Sequence, residues 1–383
     1  MIPYGRQSLN EEDIQAVVDV LRSERITQGR LVPAFEKGLA DYCRAQQAIA
    51  VNSGTSALHL ACLALGLGPG DWLWTSPITF VASANCALYC GASVDFVDVE
   101  PETANMDMQA LAAKLEKAEV RGCLPKIVVP VHFAGQPCDM HRLHELAQKY
   151  GFAILEDASH ALGARYRGEA VGSCRYSHAT VFSFHPVKMI TTGEGGALVT
   201  NDASLAEVAT KLRSHGIIRE HDHFEYEADG PWYYEQQTLG FNYRMTDMQA
   251  ALGLSQLLRL DGFVTERQRL AACYDQAIEQ LDGLSSLLQK PDRQSSHHLY
   301  MVLVPPEKRL QVFTALQRAG FGVNVHYIPV PWQPYYRQLG FGPGMFPVAD
   351  EYYKKAITLP LYVGYEQQLL RRVVDTIHYQ LND

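Results

Sequence analysis

The sequence predicts an α/β protein: a large, mostly parallel sheet covered by helices, followed by a smaller α+β unit. Three observations carry this expectation. Short apolar runs such as Lys126-Ile-Val-Val-Pro-Val131 and Ala153-Ile-Leu155 alternate with segments of helical periodicity. Strands alternating with helices build parallel sheets that are buried on both faces. Runs of strand character lead into small-residue polar turns, Asn52-Ser-Gly-Thr-Ser56 among them. After about Gly283 the pattern changes, and a boundary near residue 260 divides the chain into a large unit, 1–260, and a small one, 261–383.

Taken in order, Ser8-Leu-Asn-Glu11 reads as a capping box for a helix carrying Ile14, Val17, Val18 and Leu21 at helical spacing. Ala48-Ile-Ala-Val51 is a strand that feeds the Asn52–Ser56 turn and a helix from Ala57 to Leu65. Trp72-Leu-Trp-Thr75 is a strand, followed by a helix around Phe80 to Cys90. Val94 to Val99, Lys126 to Val131 and Ala153 to Leu155 are further strands, with a helix from Met140 to Tyr150 between the last two. Thr180-Val-Phe-Ser-Phe184 and Gly196-Ala-Leu-Val-Thr200 continue the strand signal. His221 to Gln237, with Gly230-Pro231, reads as a long polar and aromatic loop, and Thr246 to Leu260 as helix. The small unit offers strands at Leu299 to Val304 and Val323 to Tyr327, and helices at Lys308 to Ala319 and Gln367 to Leu381.

Composition narrows the function. At 383 residues, with 47% hydrophobic and 20% charged residues, the chain is ordinary for a globular protein with a large core. The net charge is −9 and no basic tract occurs, which speaks against nucleic-acid binding. No uncharged apolar run is long enough to span a bilayer. The start, Met1-Ile-Pro-Tyr-Gly-Arg, lacks the basic and apolar stretches of a secretory leader, so a cytoplasmic protein is expected. None of the eight cysteines forms a Cys-x-x-Cys pair, and free core thiols are the expectation.

The chemistry centres on Lys188, which follows the apolar run Thr180–Phe184 and precedes Gly193-Glu-Gly-Gly196. That places an amine at a strand's carboxyl end, where α/β sheets bind ligands. A lone lysine is ordinarily a surface residue; here Asp157, also at a strand end, Ser183 and the Asn52–Ser56 turn accompany it. Together they supply what a pyridoxal 5′-phosphate (PLP) site needs: a Schiff-base amine, a carboxylate for the pyridine nitrogen, and hydroxyls and amides for the phosphate. Asp157 reads equally as a helix N-cap, and the turn as an ordinary cap. Thr55 and Ser56 would meet the phosphate, Phe80 is a candidate ring for stacking on the cofactor, and His160 would stack on it or hydrogen-bond near its ring oxygen. Taken singly, Phe80 and His160 read as packed core residues.

The ordered set Asn52–Leu58, Pro77–Asn85, Glu156–Gly163, Phe182–Lys188, Thr191–Asp202 and Gly240-Phe-Asn-Tyr-Arg-Met-Thr-Asp247 resembles the DegT/DnrJ-type sugar aminotransferases. The resemblance runs from Ile2 to about Leu361. It implies a fold-type I PLP-dependent transferase with a large seven-stranded-type sheet and a small C-terminal domain, assembled as a homodimer with shared active sites. Lys188 would hold PLP and shuttle the proton, Asp157 would pair with the pyridinium, and Thr55, Ser56 and Ser183 would bind phosphate. Asn242 would reach the phosphate of the neighbouring subunit's cofactor. Arg244 would meet an anionic group, and His326 and Tyr327 would lie near a nucleotide keto-sugar.

Within the family, Ile26-Thr-Gln-Gly29, Ser159-His-Ala-Leu-Gly163, Arg213-Ser-His-Gly216, His298-Leu-Tyr300 and Val325-His-Tyr327 are most similar to the 4-aminotransferases of pseudaminic acid biosynthesis. Those would move an amino group from L-glutamate to C4 of a UDP-linked 4-keto-6-deoxy-N-acetylhexosamine, releasing 2-oxoglutarate. Perosamine-forming enzymes acting on GDP-linked sugars share Ile190–Gly196, so that segment does not separate the two. A sugar dehydratase of the same fold carries His in place of the lysine, which Lys188 opposes. A non-catalytic PLP-binding regulator is opposed by an intact Lys188 and Asp157 and by the lack of a DNA-binding segment.

Overall fold

A computed structural model of the chain describes residues 1–279 and 281–382. Its centre is a seven-stranded sheet of β1 (Gln47–Val51), β2 (Trp72–Thr75), β3 (Ser93–Phe96), β4 (Ile127–Val129), β5 (Ala153–Asp157), β6 (Ala179–Ser183) and β7 (Gly196–Thr200). The order across the sheet is β1-β7-β6-β5-β4-β2-β3. Only β7 runs against the others.

The helices are α1 (Glu11–Leu21), α2 (Leu31–Cys43), α3 (Gly54–Ala64), α4 (Ala82–Tyr89), α5 (Met108–Arg121), α6 (Met140–Tyr150) and α7 (Ala203–Arg213). They continue with α8 (Asp247–Leu257), α9 (Leu260–Ile278), α10 (Arg309–Arg318), α11 (Pro334–Gln338), α12 (Pro347–Lys355) and α13 (Gln367–Asn382). The period-2 alternation of the strands sorts their side chains to the two faces. Leu73, Ile127, Leu155, Val181 and Leu198 pack with α3, α4 and α7. On the other face Trp74, Val128 and Ile154 pack with α5 and α6, and Ala50, Phe182 and Val199 pack with α2 and α8. Most positions on both faces are buried, so these strands lack a regular polar side.

A second, antiparallel sheet joins β8 (Ser285–Ser286), β9 (Tyr300–Leu303) and β10 (Ala356–Leu359). With α9, α10 and α13 it encloses its own core around Tyr274, Val302, Leu316 and Val373. Val330, Tyr336, Phe346 and Tyr352 pack instead into the core of the large sheet. The N-terminal segment also crosses over: Ile2 pairs with Phe321, and the Tyr4 carbonyl accepts from the Leu361 amide at 2.9 Å.

Two readings need correction. Ser8 does not cap α1. Asn10 does, accepting from the Asp13 amide while its own amide donates to the Asp13 carboxylate, both at 3.1 Å. Asp13 closes the box at the required spacing, and the Ser8 carbonyl instead accepts from Gln256 and Arg259. Val323 to Tyr327 does not form a strand. Only Asn324 pairs with Thr358, and the chain then turns to put His326 and Tyr327 against the large unit. The 221–237 segment holds a short 3₁₀ turn at His221–His223, and its end pairs Glu235–Gln236 with Ile217–Ile218. Among the described residues, no helix is long and apolar enough to cross a membrane.

Candidate active site

Sheet topology brings the chemistry together. β1, β5 and β6 point the same way, so their carboxyl ends deliver the Asn52–Ser56 turn, Asp157 and Ser183 to one edge. There a cavity of about 480 Å³ is lined by Thr55, Phe80, Asp157, His160, Ser183, Lys188, His326 and Tyr327. Eight of the residues singled out from sequence thus meet in one place.

Lys188 sits on an excursion closed at its neck by Phe184, whose amide donates to the Gly195 carbonyl at 2.9 Å and whose carbonyl accepts from Thr192 at 3.0 Å. Buried Met189 and Ile190 anchor the loop, and the Lys188 amide caps a turn on the His185 carbonyl at 2.8 Å. Burial pushes the Lys188 amine down to about 8, against the opposing pull of Asp157. A lysine poised there is a nucleophile near neutrality.

Asp157 is held from two sides. Ser83 of α4 donates to its Oδ2 at 2.6 Å and the Ser159 amide to its Oδ1 at 3.1 Å. The neighbouring Glu156 points to the opposite face, where His132 Nε2 donates to it at 2.6 Å and Thr180 at 3.0 Å. Burial raises Glu156, but these hydrogen bonds outweigh it and hold the carboxyl below its ordinary value. The His132 amide also donates to the Asp157 carbonyl at 3.1 Å, so the strand end that carries Asp157 is clamped from both faces.

The first turn of α3 forms another wall of the cavity. Ser53 caps it, accepting from the Ser56 amide at 3.1 Å. Ser56 Oγ donates to Asn52 Oδ1 at 2.7 Å and does not line the cavity, so it braces the turn; Ser53 and Thr55 face inward instead. A Cβ on Gly54 would come within 3.0 Å of Ser183 Cβ, and one on Gly196 within 2.5 Å of the Gly54 amide nitrogen. The glycines therefore let strand, turn and helix close into an anion-sized cradle at a helix N-terminus. Amine, carboxylate and cradle together fit PLP. Phe80, 59% exposed, stands at the mouth of the cavity.

His160 and Tyr327 join across the cavity wall, Nε2 to Oη at 3.1 Å, and the Ala134 amide donates to His160 Nδ1 at 3.3 Å. Burial, then the neighbouring Lys188 and His326 charges, push His160 well below its ordinary value. His326 bonds Thr358 Oγ1 at 2.8 Å, and burial with Lys188 pushes it down to about 3. Asn242 and Arg244 lie outside this cavity. Their segment runs beside the β1–α3 turn, where the Asn52 amide donates to the Tyr243 carbonyl at 2.9 Å, and Arg244 lines a separate groove with Lys211 and Arg219. Tyr4, Ser53 and Asn324 line the cavity without having been singled out as binding residues. Among the described residues, no group of three or more His, Cys, Asp or Glu side chains is placed to hold a metal, and the eight cysteines are free.

A desolvated lysine facing a carboxylate beside an anion cradle defines a PLP-dependent enzyme of the aminotransferase class. Residues 7–378 match the DegT/DnrJ/EryC1/StrS aminotransferase family, and the chain belongs to it. It is a PLP-dependent sugar aminotransferase acting on nucleotide sugars. It is 40% identical over 382 residues to the spore coat polysaccharide biosynthesis protein SpsC of Bacillus subtilis, covering 98% of this chain and 96% of that protein. It is 38% identical over 380 residues to a UDP-4-amino-4,6-dideoxy-N-acetyl-β-L-altrosamine transaminase of Campylobacter jejuni, with coverage of 98% and 96%. Its structure superposes with a TM-score of 0.90 and 30% identity on PseC of Helicobacter pylori, an aminotransferase of pseudaminic acid biosynthesis, covering 100% of this chain and 99% of that one. The sugar aminotransferase Spr1654 of Streptococcus pneumoniae, solved in its pyridoxamine form, superposes with a TM-score of 0.90 at 29% identity, covering 100% and 99%.

Proposed function

We propose that this enzyme moves the amino group of L-glutamate to C4 of a UDP-linked 4-keto-6-deoxy-N-acetylhexosamine, in the pathway to pseudaminic acid. The observation that carries the reading is the meeting of Lys188, Asp157 and the Ser53–Thr55 cradle in one cavity. The whole-length likeness to the Campylobacter transaminase, whose name specifies a UDP-linked 4-amino sugar, supports this acceptor.

PLP, when bound, supplies an aldehyde carbon for imine formation and a ring that accepts electrons. The residues do the rest. Lys188 Nζ would hold that carbon at rest. Its free, neutral amine would take the proton from the donor's Cα and return one to C4 of the sugar. Asp157, fixed by Ser83 and Ser159, would keep the ring nitrogen protonated. The α3 N-terminus and Ser183 would donate hydrogen bonds to the phosphate, and Phe80 stands at the mouth.

The enzyme works as a cytoplasmic homodimer in this reading, with Asn242 and Arg244 completing the partner's site. Their position outside their own cavity supports that, as do Ile14, Leu21, Ile26 and Leu258, apolar and exposed on the single chain. Incubation with ¹⁵N-L-glutamate and the UDP-linked 4-keto sugar tests the reading. The expected product is a UDP-4-amino sugar with ¹⁵N at C4. Label in a GDP-linked acceptor and none in the UDP-linked one would replace the acceptor.

A further inference from the structure

The hydrogen bonds around His160 have a fixed direction. The Ala134 amide can only donate, and it points at His160 Nδ1 at 3.3 Å. A neutral imidazole that accepts at Nδ1 carries its proton on Nε2. The 3.1 Å contact to Tyr327 Oη therefore runs from His160 to the phenol oxygen. Tyr327 keeps its own proton, and among the described residues its hydroxyl has no second hydrogen-bond partner. The ring is boxed in by Phe133, with centroids 6.1 Å apart, and by His326 at 4.7 Å. Burial, with the nearby Tyr4 and Asp157, pushes the phenol far above its ordinary value, so it stays protonated. The result is a preset O–H donor on the wall of the cavity that holds Lys188 and Asp157.

We propose that Tyr327 is a catalytic residue that donates a hydrogen bond to the carbonyl oxygen of the amino acceptor, keto acid or keto sugar. When an amine adds to that carbon, charge builds on its oxygen, and a donor held in place before the reaction stabilises it without reorganisation. His160 is the positioning residue: its fixed Nε2–H occupies one lone pair of Oη and turns the phenol proton inward. The proposal rests on amino-group transfer and not on any particular sugar.

The test uses Tyr327→Phe, which removes one oxygen and keeps the packed ring. Enzyme carrying the cofactor in its amine form is mixed with 2-oxoglutarate, and the single-turnover rate is followed by absorbance. In parallel, enzyme in the aldehyde form is given L-[2-²H]glutamate, and loss of deuterium to water is measured. The first rate is expected to fall roughly 100- to 1000-fold, while deuterium loss, which involves no carbonyl oxygen, stays within a few-fold of wild type. An unchanged keto-acid rate overturns the assignment, and so does an equal fall in both, which is what a merely structural role produces. 3-Fluorotyrosine at position 327 gives an independent check, because it keeps the donor and acidifies it. The keto-acid rate then changes while deuterium loss does not, and an unaltered keto-acid rate overturns the proposal. Neither reaction needs the sugar, so failure here leaves the choice of sugar acceptor untouched.

Discussion

At the scale of single residues, the proposed role of Lys188 makes its electrostatics decide how the cofactor is loaded. Only a neutral amine adds to an aldehyde. With the amine at about 8, the neutral fraction at pH 7 is roughly 300-fold larger than for an ordinary lysine. Deprotonation gains as pH rises, so capture of PLP by the apoprotein is expected to accelerate about tenfold per pH unit below 8 and to level off above it. Stopped-flow absorbance over pH 6 to 9.5 checks this; a rate still climbing steeply at pH 9.5 would mean that burial does not depress the amine. The sequence exposed Asp157 because it ends an apolar strand, and Lys188 because it follows one, on a loop before the Gly193-Glu-Gly-Gly196 turn. It did not expose Tyr4, whose place in the cavity depends on Ile2 pairing with Phe321, far along the chain. Nor did it expose the polarity of Tyr327, which is set through His160 by the amide of Ala134, 26 residues before that histidine.

At the scale of elements, the site depends on how closely β7, β6 and the start of α3 approach. A Cβ at Gly196 would lie 2.5 Å from the Ser53 carbonyl and the Gly54 amide, both main-chain groups that cannot swing aside. Gly196→Ala is therefore expected to cost about 1–3 kcal/mol of stability by overpacking and to weaken PLP binding at least tenfold, because the cradle itself must shift. Thermal unfolding of the apoprotein and a fluorescence titration with PLP measure the two effects. Stability lost with affinity intact would show that the turn moves without disturbing the cradle. The strands and α6 were legible because their apolar runs are short and sharply bounded. Six helices, α2, α5, α7, α9, α11 and α12, have no counterpart in the sequence reading. For α5 and α7 the signals were present: Asp107 and Asp202 cap their first turns, and Gly122 in a left-handed conformation ends α5. α2 lacks a side-chain cap and begins from Arg30, so it is fixed by its packing against α8 and β1. The Val323–Tyr327 run failed as a strand because its alternation serves the cavity and not a sheet face.

At the scale of the whole molecule, the cavity lies where the large sheet meets the C-terminal segments carrying His326 and Tyr327, while Asn242 and Arg244 face elsewhere. In the proposed dimer with shared sites, Lys188→Ala and Asn242→Ala damage different halves of one site. Refolded as an equal mixture, half the dimers carry both variants and each has one intact site. About one quarter of wild-type activity should return, as follows for an isologous pair. No recovery on mixing would place Asn242 in its own subunit's site or outside the chemistry altogether.

The central claim is amino transfer through Lys188 to a UDP-linked 4-keto sugar. Its most direct test converts the purified enzyme to the pyridoxamine form with L-glutamate, removes the excess, and adds UDP-2-acetamido-2,6-dideoxy-4-ketohexose. Absorbance of the lysine-bound cofactor is then followed. Prompt return, stoichiometric with sites, is the predicted result. A clean first half-reaction followed by no return, with return on adding a GDP-linked 4-keto-6-deoxy sugar, would contradict it.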